Sequence, residues 1–323
     1  MNKNSMFDVV QSDLMVLEEE LLSVIHSPEK LITDISKHLV EAGGKRLRPA
    51  LYFLCSKGRG ETDREKIVPM AIAIELIHMA TLVHDDVIDN ATTRRGKATA
   101  NSCWGNHSSV LIGDYLFAKA FSLVANKASS DMLKVLTDVI CSMCEGEINQ
   151  NRSTFQAEQR ESDYLRRIEQ KTADFIAASC ELGGLAVKLP AQEVKALREY
   201  GYSLGMAFQI TDDLLDVTAS SEQIGKPAGN DLRQGIITLP VIYALEHSLH
   251  KEELREIVQT KGMSEEKIKR GLAIIQESDA IEYSYNRVAD YLIRARSVIP
   301  ETIRGEYREA FHAIADFVGL RNY

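Results

Sequence analysis

The chain has 323 residues, of which 45% are hydrophobic and 26% charged, with a formal net charge of −9. This composition supports a large apolar core in an ordinary globular protein. The acidic balance excludes a general nucleic-acid binder, which needs a basic surface. Five scattered cysteines (Cys55, Cys103, Cys141, Cys144 and Cys180) exclude a disulfide framework and read as the reduced thiols of a cytoplasmic protein.

The first stretch, "MNKNSMFDVVQSDLMVLEEE", has no apolar signal core. No run of about twenty apolar residues follows, so no membrane span is expected. A break at "EAGGKRLRP" carries Lys45, Arg46 and Arg48, and a second break falls at "KGRGETD". The next segment, "AIAIELIHMATLVHDDVID", is apolar on most faces, as a central buried helix is. It runs into "NATTRRGKATANSCWGN", which carries Arg94 and Arg95. Four further helical patterns follow: "SVLIGDYLFAKAFSLVA", "DMLKVLTDVICSMCEGEI", "LRRIEQKTADFIAASCELGGLAV" and "VKALREYGYSLGMAFQITDDLLDV". Alternating strand patterns are absent. Cys141 and Cys144 lie inside a helical pattern with no second pair to complete a zinc site, so they read as packing residues. With no linker, low-complexity tract or strong repeat, residues 1–323 read as a single all-α domain with its longest helices in the middle.

Two D-D-x-x-D clusters stand out, Asp85, Asp86 and Asp89, then Asp212, Asp213 and Asp216. Residues i and i+4 of a helix share a face, about 6 Å apart along the axis. Asp85 and Asp89 therefore project together, as do Asp212 and Asp216. Asp86 and Asp213 are rotated away and can support them. Like charges at this spacing destabilise a helix, and the negative end of the helix dipole adds to the cost. Such a pattern wrapped in apolar neighbours calls for a cation. Carboxylate oxygens without histidine or thiolate partners favour Mg²⁺, which completes its shell with water and substrate phosphate. The phosphate needs basic partners, and Lys45, Arg46, Arg48, Arg94, Arg95, Lys171 and Lys226 are available at loops and helix ends.

The ordered set "GGKRLRP", "ELIHMATLVHDDVIDNATTRRG", "GDYLFAKAF", "EQKTADF", "GMAFQITDDLLDV", "GKPAGNDLRQG" and "TLP" resembles the trans-isoprenyl diphosphate synthases. The resemblance implies an all-α bundle of the isoprenoid synthase type, with the two acidic motifs facing each other across a central cavity. It implies that Asp85, Asp89 and Asp212 bind Mg²⁺, three ions with substrate bound, and that Asp86, Asp213 and Asp216 assist. Arg94, Lys171 and Lys226 would hold the allylic diphosphate. Lys45, Arg48, His78 and Arg95 would hold isopentenyl diphosphate. Thr172 and Gln209 would line the reaction centre. No serine, cysteine or histidine nucleophile is needed.

Product length follows from the helix above Asp85. Thr81 and Ala80 lie one turn before it, and Ile77 one turn further. Short-chain members of the family carry bulky aromatics there. Small residues imply an open tunnel and a hexa- or heptaprenyl diphosphate product, suited to a quinone such as menaquinone. After "NDLRQG" the family commonly has lysine, and this chain has Ile236. In this it is similar to the large, motif-bearing subunit of two-component hexaprenyl and heptaprenyl synthases, which implies a small partner lacking the aspartate motifs. The alternatives are a self-sufficient homodimer of the octaprenyl type and a geranylgeranyl synthase. Peripheral membrane contact would suit release of a long product. Ala98 stands where proline is frequent, and Arg321 would be a terminal basic residue near the isopentenyl site. A histidine–aspartate phosphohydrolase would need more histidine ligands. A terpene cyclase would carry a different second motif, and a silent subunit would lack the aspartates.

Overall fold

The computed structural model describes residues 5–60, 62–218 and 228–320. It is all-α, and among the described residues the only strands are two of two residues each. The chain forms two compact units. The first takes the described residues of Met1–Val135, Ser179–Val194 and Glu301–Ala310, the second those of Leu136–Ala178, Lys195–Pro300 and Phe311–Tyr323.

The first unit opens with α1 (Gln11–Val24), α2 (Lys30–Glu41), α3 (Leu47–Lys57) and α4 (Arg64–Ile88). Helix α1 buries Leu14, Leu17 and Leu21, one stripe at helical spacing. The carboxylates of Glu29 and Asp63 accept from the backbone N–H groups of Leu31 and Glu65 at the starts of α2 and α4, giving two first-turn donors a partner. Helix α4 is buried almost without interruption from Ile67 to Ala80, because its sequence is apolar on nearly every face. It alone among the described helices is long and apolar enough to cross a bilayer, but 72% of its most apolar window is buried inside the protein. Asp13 is wholly buried and paired with Lys57 at 2.7 Å and Arg64 at 2.9 Å.

After α4 comes a hairpin, β1 (Thr93–Arg94) and β2 (Lys97–Ala98), then α5 (Ala100–Val124), whose backbone breaks at Gly105 (φ 80°). Helix α5 packs along α4, with Gly113 against the His84 side chain. A Cβ at Gly113 would overlap the His84 imidazole, whose Nε2 meets the Val110 carbonyl at 3.1 Å.

The second unit draws on α6 (Ser130–Ser153), α7 (Glu161–Ile168), α8 (Asp174–Ala186) and α9 (Ala191–Thr218). It continues with α10 (Asn230–Gln234), α11 (Leu239–His247), α12 (Lys251–Val258), α13 (Glu265–Gln276) and α14 (Ala280–Ser297). Part of α15 (Gly305–Gly319) completes it. Between α7 and α8 the chain makes a π-turn, Glu169–Ala173. Gln276 on α13 donates to the Val217 carbonyl at 2.6 Å and so caps the end of α9. The Tyr200 hydroxyl donates to the Phe311 carbonyl at 2.8 Å, with the two rings edge to face.

Candidate active site

The first acidic cluster closes α4. Asp89 is its C-cap and donates its N–H to the Asp85 carbonyl at 2.8 Å. Asp85 is half-buried and Asp89 exposed, one turn apart. Asp86 is 3% exposed, and its Oδ1 accepts from Arg94 Nε at 2.8 Å. The hairpin makes that bond. Arg95 (φ 52°) and Gly96 (φ 77°) both take the left-handed conformation of a tight two-residue turn, and the chain returns with Thr93 opposite Ala98. Asn101 donates to the carbonyls of Asp86 and Ala91, and Thr99 to that of Ala91, which fixes the turn beyond the aspartates.

Beside this cluster, in the same unit, stands a group of cations. Gly43 has φ 72°, and a Cβ at Gly44 would lie 2.7 Å from Arg95 Nη1, so the Gly-Gly pair lets the Arg95 guanidinium lie against the chain. Lys45 is exposed on this loop. Arg48 Nη1 lies 3.4 Å from His78 Nε2. Burial holds the Arg48 guanidinium down to about 10; Arg95 adds to this and Glu75 opposes it. Burial likewise lowers Arg95; Glu75 opposes this, and Arg94 and Arg46 add to it. Burial first, and then Arg48, Arg95, Arg94 and Arg46, push His78 well below its ordinary value, so the imidazole is neutral at pH 7 and its Nε2 accepts from Arg48. Part-buried guanidiniums gathered in this way form a positive field that a polyanion relieves.

Arg46, a candidate for phosphate on sequence grounds, does something else. It is 7% exposed and gives Nε and Nη2 to Glu18 at 2.6 and 3.1 Å and Nη1 to Glu75 at 2.7 Å. It is the centre of an internal ion network.

The second cluster closes α9. Asp213 is 6% exposed and accepts from the Tyr164 hydroxyl at 2.7 Å and from Gln209 Nε2 at 2.8 Å. Burial lifts it to about 6, against those two hydrogen bonds and the charge of Arg167. Asp216 accepts the backbone N–H groups of Asn230 and Asp231 at 3.0 Å each, so it caps α10. Asp212 is half-buried. Thr172 donates to Gln209 Oε1 at 2.8 Å, which fixes the amide that then donates to Asp213. Lys171 and Thr172 both lie on the π-turn, a local widening that re-aims side chains and often marks function. Lys171 Nζ meets Glu147 at 2.6 Å.

Sequence reasoning missed Tyr164, Asp231 and Glu147. Burial, followed by the charges of Asp213 and Asp216, raises Asp231 well above the carboxylate range. Gly146 is the sequence signal for Glu147, since a Cβ there would lie 2.8 Å from Gln170 Cβ and 3.0 Å from Lys171 Cγ. Ile77 and Ala80 are wholly buried on α4; Thr81 is partly exposed and donates to the His78 carbonyl at 2.8 Å. Lys226 and Arg321 lie outside the described residues.

Among the described residues, no group of three or more histidine, cysteine, aspartate and glutamate side chains forms a metal cage. The donors present nonetheless fit magnesium, which takes one or two carboxylates and fills its shell with water and phosphate. Asp86, Asp213 and Asp216 are oriented by named donors. Asp85, Asp89 and Asp212 are the half-buried or exposed carboxylates beside them.

The chain matches the polyprenyl synthetase family over residues 29–275. It is 40% identical to heptaprenyl diphosphate synthase component 2 of Geobacillus stearothermophilus over 323 residues, all of both chains. It is 34% identical to octaprenyl diphosphate synthase of Haemophilus influenzae over 313 residues, covering 96% of this chain and 94% of the relative. The fold matches the crystal structure of a polyprenyl synthase from Caulobacter crescentus CB15 complexed with calcium and isoprenyl diphosphate. That match has a TM-score of 0.91 and 33% identity, covering 99% of this chain and 98% of the other. With its two aspartate motifs and cationic residues in family order, the chain belongs to the polyprenyl synthetase family and is a prenyltransferase of the polyprenyl diphosphate synthase class.

Proposed function

We propose that this chain is the catalytic subunit of a long-chain trans-polyprenyl diphosphate synthase. It adds isopentenyl diphosphate head-to-tail to an allylic diphosphate, farnesyl by preference, and makes hexa- or heptaprenyl diphosphate for a quinone side chain. The observation that carries this reading is the buried Arg48 set 3.4 Å from a neutral His78 with the Arg95 guanidinium nearby, on and beside the helix that ends in the first aspartate motif. Such a group suits a diphosphate anion.

In this reading Lys45, Arg48, His78 and Arg95 bind isopentenyl diphosphate, whose charge relieves the repulsion between the guanidiniums. His78 contributes a hydrogen bond without adding charge. Arg94, Lys171 and Lys226 bind the allylic diphosphate. Asp85, Asp89 and Asp212 would hold magnesium, with Asp86, Asp213 and Asp216 keeping them in place. Bound magnesium would act as a Lewis acid on the departing diphosphate. The allylic C–O bond breaks with its electron pair going to the diphosphate. Thr172 and Gln209, bonded to each other at 2.8 Å, line the reaction centre in this reading. The double bond of isopentenyl diphosphate closes on that carbon, and the proton lost goes to the released diphosphate. Ile77, Ala80 and Thr81 leave room for a long chain.

A small non-catalytic partner completes the enzyme in this proposal. Its support is Ile236, aliphatic where the family commonly has lysine, together with the component 2 designation of the Geobacillus relative. A self-sufficient homodimer of the octaprenyl type is the second reading; the 34% identity to the Haemophilus octaprenyl diphosphate synthase supports its product class. We place the enzyme in the cytoplasm, with peripheral membrane contact when product leaves. The test is to purify the chain alone and supply farnesyl diphosphate, labelled isopentenyl diphosphate and Mg²⁺. Little product alone, with long polyprenyl product on adding the small subunit, is expected. Full turnover alone refutes the heteromer, and diphosphate release without isopentenyl diphosphate refutes the condensation.

A further inference from the structure

Two carboxylates of the second cluster are held by separate supports, and one arginine joins those supports. Asp213 rests on the Tyr164 hydroxyl at 2.7 Å. Asp216 rests on the backbone amides of Asn230 and Asp231. The segment that carries those amides turns back on itself, as the Ile236 N–H donates to the Asp231 carbonyl at 2.8 Å. Gly235 (φ 72°) makes the turn, and its carbonyl accepts from the Phe155 N–H at 2.8 Å. At the end of this turn Arg167 Nη2 donates to the Ile237 carbonyl at 2.5 Å. Its Nη1 donates to Gln159 at 2.8 Å, and the guanidinium carbon lies 5.5 Å from the centroid of the Tyr164 ring. Arg167 is 5% exposed and Tyr164 wholly buried.

We propose that Arg167 is a positioning residue of the second aspartate cluster, tying the turn that caps Asp216 to the tyrosine that holds Asp213 and supplying the buried positive charge that Ile236 does not. This rests on the reading that the cluster binds a divalent metal with diphosphate. A buried guanidinium is costly unless neighbouring negative charge offsets it. Burial lowers the proton affinity of Arg167, and Asp213, Tyr164, Asp231 and Asp163 raise it. The cation thus comes from α7, next to the very carbonyl that follows position 236.

A purely structural arginine, there only to satisfy the Ile237 carbonyl and Gln159, would be indifferent to a new charge at 236. A charge-supplying arginine would not. The experiment is Mn²⁺ binding to the full chain, read by electron paramagnetic resonance with inorganic diphosphate present, for the wild type and for Arg167→Gln, Tyr164→Phe, Ile236→Lys and the double variant Arg167→Gln/Ile236→Lys. Arg167→Gln is expected to weaken diphosphate-dependent Mn²⁺ binding about tenfold, the scale of losing one charge-assisted interaction. Ile236→Lys is expected to restore most of that loss in the double variant. Tyr164→Phe keeps the ring and removes the hydroxyl; it is expected to weaken binding several-fold and decides the matter if Arg167→Gln does not fold. Unchanged binding in Arg167→Gln, no recovery in the double variant, or wild-type binding in Tyr164→Phe overturns the proposal. No diphosphate-dependent Mn²⁺ uptake by the wild type instead overturns the metal-diphosphate reading beneath it.

Discussion

Replacing Arg46 with methionine separates a structural arginine from a substrate-binding one. Methionine keeps an apolar stem of similar length and removes the guanidinium. Glu75, 3% exposed and bonded to Arg46 at 2.7 Å, then loses its hydrogen-bonded counter-ion and keeps only the charges of Arg48 and Arg95. Breaking such a pair from one side costs about 3–5 kcal/mol. Glu18, with 43% of its side chain exposed, regains water and adds about 1 kcal/mol at most. A total near 4 kcal/mol corresponds to a fall in melting temperature of about 6 °C, at about 1.5 °C per kcal/mol for a chain of this size. Adding Glu75→Leu removes the stranded charge and recovers most of the loss, because a buried ion pair replaced by apolar groups is often near neutral. The assay is equilibrium urea unfolding of wild type, single and double variants, with the KM for isopentenyl diphosphate measured in parallel. A loss below about 1 kcal/mol together with a tenfold rise in that KM refutes the assignment and puts Arg46 on the ligand.

Gly113→Ala drives a methyl group into the His84 ring beside Asp85; overpacking of about 1–3 kcal/mol outweighs the gain in helix propensity of about 1, so thermal stability falls and turnover with it. His78 binds a proton in the unfolded chain below its ordinary value near 6.5 but not in the folded protein. Stability therefore falls as pH drops below that value and continues to fall until the depressed native value is reached, by at most about 1.4 kcal/mol per pH unit. His78→Asn flattens this acid limb in urea titrations between pH 7 and 5, and an unchanged slope refutes a neutral His78. Ala80→Phe puts a ring on the wholly buried face of α4 and is expected to shorten the product by one or more isoprene units in chromatography of dephosphorylated prenols. Unaltered product length argues that this face packs against protein alone.

The helical class, the breaks between helices and the two acidic clusters were legible in the sequence because they depend on local spacing. A long apolar run marks α4 and apolar periodicity marks α9 without knowledge of their neighbours, and i,i+4 aspartates share a face wherever the helix lies. The Gly-Gly before Lys45 marked a break, but its reason, a left-handed residue followed by the Arg95 guanidinium, needed the folded chain. Tertiary structure alone decided which of the basic residues are internal. Arg46 and Arg48 are two positions apart, yet one binds Glu18 and Glu75 and the other faces His78. Nothing in their spacing distinguishes them, because the partners come from other helices. The same holds for Arg167, Tyr164 and Asp231, ordinary letters in an amphipathic pattern until α7 and the turn before α11 meet around Asp213. Residue type and helical period set which side chains share a face; only long-range packing, which excludes water and fixes charges against one another, sets what that face meets.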